Sequence, residues 1–130
     1  MAKFSKQIQN FLDAVGADSE LNVQMVPKSQ SCANPGDILF FRYKLGIGKG
    51  SRAARIFMVV EPITKEPATG NLLLVGFRVP EQGNYTPESL VTLYKNRSLP
   101  IDNYRTYIMT NIYGPIHRIR KKATIDGELQ

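Results

Sequence analysis

The sequence predicts a mainly β domain with flanking helices, and three observations carry that prediction. Three apolar runs rich in β-branched and aromatic residues lie between positions 37 and 79, each bounded by turn residues. The connections between them are short and carry Pro and Gly, as an antiparallel meander requires. Helix signals are strongest at the N-terminus and just after Thr86. With 130 residues, 42% hydrophobic and 22% charged, the chain has room for one domain, residues 1–130, and one core.

In chain order, residues 4–15 space Phe4, Ile8, Phe11, Leu12 and Val15 at helical intervals, with Gly16 as a stop, so an amphipathic helix is expected. Val23, Met25 and Val26 suggest one short strand. Asn34-Pro35-Gly36-Asp37 is a turn. Asp37 to Leu45 alternates Leu39, Phe41, Tyr43 and Leu45 against Phe40, Arg42 and Lys44, the pattern of a half-buried strand. Arg55 to Glu61 and Asn71 to Val79 are the second and third strands, closed by Pro62 and Pro80, with residues 64–70 as a hairpin loop. Thr86-Pro87-Glu88 combines an N-cap, a proline at the first helical position and an early acid, predicting a helix from Pro87 to Lys95.

Residues 104–112 read two ways. Tyr104, Tyr107, Ile108 and Ile112 fit a helix capped by Asp102, and the same Tyr, Thr and Ile residues favour a strand. After Gly114-Pro115, residues 116–119 form a last strand expected to close the sheet, and a tail follows from position 123. Short strands, one helix and a closing strand over residues 35–120 suit a small antiparallel barrel of the SH3-like or OB-like kind, which also removes exposed sheet edges. An open α+β sheet is the alternative.

Composition narrows the function. The longest apolar run is the five residues Ile56 to Val60, far short of a membrane-spanning helix. The N-terminus lacks the apolar stretch of a secretory signal, and the one cysteine, Cys32, excludes an internal disulfide or a multi-thiolate metal site. A reducing compartment, the cytoplasm, is the expectation. No cofactor or metal is expected.

The net charge of +6 is gathered in two blocks. Residues 35–60 carry five cations against Asp37, and residues 97–122 carry six against Asp102. Such concentration favours an anionic partner, nucleic acid first. In the first block, Gly46-Ile47-Gly48-Lys49-Gly50-Ser51 is not a phosphate-binding P-loop, because Gly50 separates Lys49 from Ser51 and a strand follows. It reads as a cationic hairpin loop in which Lys49, Arg52 and Arg55 reach phosphate oxygens, or as a solvated turn. In the second block, Arg118, Arg120 and Lys122 would share one strand face and Lys121 the other. Their spacing of about 6.5–7 Å is close to the phosphate repeat of a single strand. Tyr43, Tyr104 and Tyr107 are candidate stacking surfaces, or else core. His117, the one histidine, has no carboxylate near it in sequence, and no nucleophile elbow is present, so the chain is not expected to be an enzyme.

From Gly36-Asp37-Ile38-Leu39-Phe40-Phe41-Arg42-Tyr43, through Ile56–Val60, Leu72–Pro80 and the helix 87–95, to Tyr104-Arg105-Thr106-Tyr107-Ile108 and Ile116–Ile119, the chain resembles small tailed-phage proteins with a barrel-like core. Members of that group often carry a P-Y-Y-D-like segment after the first strand, where this chain has its Gly-Lys loop. The resemblance implies a bacteriophage setting: a DNA-binding or virion structural protein, in the host cytoplasm or the virion. Two roles follow as expectations. One is contact with DNA or RNA phosphates through Lys49, Arg52, Arg55, Arg118, Arg120, Lys121 and Lys122. The other is a virion assembly component or host-protein adaptor, monomeric or oligomeric, whose basic edges and N-terminal helix are protein interfaces.

Overall fold

A computed structural model describes residues 6–44, 52–80 and 84–121. Helix α1 (Lys6–Ala17) leads into strand β1 (Leu21–Val26), and β2 (Ile38–Lys44) and β3 (Arg52–Val59) form an antiparallel hairpin. After β4 (Thr64–Lys65) and β5 (Leu72–Arg78) comes helix α2 (Pro87–Lys95). Strands β6 (Tyr104–Ile108) and β7 (Ile112–Lys121) are joined by a single 3₁₀ turn, Met109–Asn111. Phe4, Leu45, the Gly46–Ser51 loop and the tail from position 123 lie outside the described residues. No helix among the described residues is long and apolar enough to cross a membrane.

The strands make one antiparallel open sheet in the order β1-β7-β2-β3-β5. Strand β5 pairs with β3 through Gly76–Arg78, with β4 through Leu72 and Leu73, and with β6 through Leu73–Phe77. The last strand does not close the sheet as expected. It lies inside it, between β1 and β2, while among the described residues β6 pairs only with β5.

Residues 104–112 resolve in favour of the strand. Asp102 sits in a 3₁₀ turn, Ile101–Asn103, rather than capping a helix. Pairing with β5 from Phe77↔Tyr104 to Leu73↔Ile108 is a stronger tie than an isolated amphipathic helix of this length offers. Likewise, residues 64–70 hold more than a loop: Thr64 and Lys65 pair back onto β5, and the turn closes through Gly70, whose φ of 77° suits glycine.

The central strands β2, β3 and β5 pack against apolar clusters on both faces, unlike the half-buried strand expected for β2. Leu39, Phe41, Phe57, Val59, Leu74, Tyr107, Ile112 and Ile116 form one apolar cluster. Ile38, Ile56, Met58, Phe77 and Ile119 form a second with Ile8, Phe11 and Val15 of α1 and Leu90 of α2. Period-2 alternation therefore sorts side chains between two cores, not between core and solvent. The α2 start follows its sequence signal closely. Thr86 and Ser89 form a reciprocal capping box, with Pro87 in the first turn.

Candidate nucleic-acid interface

The residues expected to bind phosphates fall into three groups. Arg118 is turned to internal work: Nη1 donates to the Cys32 carbonyl at 2.9 Å and Nη2 to Gln24 Oε1 at 2.7 Å. Arg120 makes a two-pronged contact with Asp37, its Nε donating to Oδ1 at 2.8 Å and its Nη2 to Oδ2. Asp37 is buried and also accepts the Asn34 backbone N–H at 2.7 Å. The Asp37 hydrogen bond raises the Arg120 pKa above its ordinary value. These two arginines share a face, as expected, and that face ties β7 to the Asn34–Asp37 turn and to β1. Both guanidiniums thus spend donors on partners within the fold.

Arg55 is half-buried and donates to the carbonyl of Ala54 at 3.3 Å, while its Nε has no partner among the described residues. Lys121 is exposed at the end of β7, and Arg52 stands opposite Lys44 in the β2–β3 ladder. Lys49 and Lys122 lie outside the described residues.

The tyrosines divide too. Tyr107 is buried, its ring packed edge-on against Phe41, Phe57 and Tyr43 at centroid distances of 5.5, 5.3 and 4.6 Å. Tyr43 accepts the Ile108 N–H at 3.1 Å and joins the same cluster. Tyr104 packs, half-buried, on the second core. The core reading of these rings is the one the packing matches, and Tyr107 has no ring face to offer a base.

A different set of aromatics does line a surface. β7 changes register against β2, from Phe40↔His117 to Arg42↔Tyr113, so three β7 residues, Gly114, Pro115 and Ile116, face the single residue Phe41. Pro115 has no N–H to give a ladder, and Gly114 adopts φ 69°, so both suit an irregularity of this kind. The irregularity opens a cleft of about 230 Å³ lined by Phe40, Phe41, Arg42, Tyr113, Gly114, Pro115 and His117. Phe40 and His117 stack obliquely at 6.2 Å.

Beside this cleft runs the β2–β3 hairpin. Residues 42–55 contain Arg42, Lys44, Lys49, Arg52 and Arg55 and no acid. Cross-strand pairing out to Lys44↔Arg52 brings the bases of both arms to one end of the sheet. Phe40, Arg42, Tyr113 and His117 were not legible as a group, since Gly114-Pro115 reads locally as a strand start rather than a bulge.

A larger groove of about 520 Å³ lies among α2, β1 and β7, but its acids Asp18, Glu20, Asp37 and Glu88 nearly balance Lys95, Arg120 and Lys121. Among the described residues no group of His, Cys, Asp and Glu is placed to hold a metal ion. Cys32 is buried, and that burial raises its thiol pKa, with smaller lowering from the Ser29 backbone and Arg118. This is the opposite of what a nucleophilic thiol needs. Comparison with protein-family models, curated proteins and solved structures returns no match to this chain.

Proposed function

We propose that the protein is a non-enzymatic nucleic-acid-binding protein, with phosphates held along the β2–β3 hairpin and an unpaired base received by the cleft at the Gly114-Pro115 bulge. The observation that supports this best is the run Arg42 to Arg55, five cations and no acid in sequence, in the hairpin whose strand β2 also lines the cleft walled by Phe40, Tyr113 and His117. Cations that track a backbone beside π-faces are the usual means of holding single strands without sequence preference. Of the two basic stretches expected to bind, this reading keeps the hairpin and sets aside the last strand. A tailed-phage setting, which the resemblance implies, belongs to the same reading.

We further read the curled sheet as an SH3-like barrel. The run β7-β2-β3-β5-β6, the one-turn link from β6 to β7 and the Tyr43–Ile108 hydrogen bond between the ends of β2 and β6 support that reading. A virion assembly or adaptor role is the second reading. It is favoured by the β1 edge, where Val23 and Met25 are 48% and 68% exposed.

Charge reversal tests the placement of the site. The double change Lys44→Glu and Lys49→Glu should weaken binding of a labelled single-stranded 20-mer at least tenfold, whereas Lys121→Glu should change it less than threefold. A larger loss from Lys121→Glu would return the site to the last strand and overturn the assignment.

A further inference from the structure

Among the described residues strand β1 pairs only with β7, so its outer side is a sheet edge. Its six residues, Leu21-Asn22-Val23-Gln24-Met25-Val26, contain no charge and no proline, and their register with β7 runs unbroken. Charges, prolines and bulges are the devices by which natural edges avoid joining other strands. β1 has none of them, and it exposes the large side chains of Val23 and Met25. Pro27 follows the strand directly, and charges flank it further out, with Glu20 before the strand and Lys28 after the proline.

We propose that β1 pairs antiparallel with β1 of a second copy of this chain, about a two-fold axis at Gln24. An axis normal to the sheet keeps each copy's faces in common, so opposed residues must come from the same face and the axis must pass through a residue. Through Gln24, Val23 of one copy faces Met25 of the other, joining the two exposed apolar side chains. Glu20 and Lys28, each just outside the ladder, then come to the same end of the strand pair. Lys28 Nζ donates to the Ile112 carbonyl, but an ammonium has three N–H groups and two remain for a carboxylate. An axis through Val23 would instead set Glu20 against Val26, leaving the carboxylate without a cation. The pairing uses each edge once, so assembly stops at two copies. A six-residue strand pair buries less than the roughly 1,200 Å² typical of stable complexes, so the dimer is weak and concentration-dependent.

Sedimentation equilibrium of the full chain from micromolar to millimolar concentration tests this. The mass should climb from 14.6 kDa towards twice that value and no further. Val23→Lys with Met25→Lys places lysine opposite lysine and should hold the chain monomeric. Val23→Glu with Met25→Lys places glutamate opposite lysine in the Gln24 register and should restore the dimer. Circular dichroism confirms that both variants, altered only at exposed positions, are folded. A wild-type chain monomeric throughout overturns the proposal and leaves the edge to a strand of another protein. A Lys/Lys variant that dimerises like wild type places the interface elsewhere, and a Glu/Lys variant no better than Lys/Lys refutes the register. Growth beyond two copies contradicts the two-fold.

Discussion

Asp37 is the residue on which most local geometry converges. It is buried, it accepts the Asn34 N–H, and both its oxygens receive Arg120. Removing it orphans a backbone donor and a guanidinium, so Asp37→Ala should cost about 2–3 kcal/mol in a urea titration. Arg120→Ala should cost less, because Arg120 is 41% exposed and its loss leaves Asp37 the Asn34 contact. A loss of affinity for nucleic acid in Arg120→Ala without a loss of stability would contradict the structural role given to this arginine. Gly76 offers a stricter test. A Cβ there would stand 2.0 Å from the Met58 carbonyl oxygen, which is backbone and cannot yield cheaply. Gly76→Ala should therefore cost upwards of about 3 kcal/mol or prevent folding altogether. Cys32 adds a pH dependence. Its folded pKa lies above the ordinary 9.0, so its contribution to stability is complete below pH 9 and declines as pH rises through the folded value. The gap in urea midpoint between wild type and Cys32→Ala should be constant from pH 6 to 8 and shift in favour of the variant above pH 9.

At the scale of elements, α1 and β7 carry the most. Phe11 is fully buried between α1 and the sheet, so Phe11→Ala should destabilise by about 3–5 kcal/mol, measurable by thermal or urea unfolding. The α2 boundaries were legible because capping is local chemistry: Thr86, Pro87 and Ser89 act within one turn of each other. Strand β7 was only half legible. Gly114-Pro115 looks like a boundary from its neighbours, and only pairing with β2 on one side and β1 on the other carries the strand through it. The same limit explains Arg118 and Arg120. Alternation placed them on one face, but their partners lie 83 to 94 positions away in sequence, and no local pattern announces a distant acceptor.

For the whole molecule, the mainly β character and the existence of a single sheet were legible from alternation and turns. The internal position of β7 and the second core were not, because both depend on which strands meet. Charge totals pointed to an anionic partner; in the fold Arg120 is paired with Asp37 and Arg118 is held by neutral partners, while residues 42–55 carry five cations and no acid in sequence. The most direct test of the nucleic-acid reading is the affinity of the full chain for a labelled single-stranded oligonucleotide at 50 and 200 mM salt, read by fluorescence anisotropy. If the five hairpin cations each neutralise one phosphate, affinity should fall roughly 100-fold over that range through counterion release. Absence of binding at 50 mM, or an affinity unchanged at 200 mM, would contradict the account.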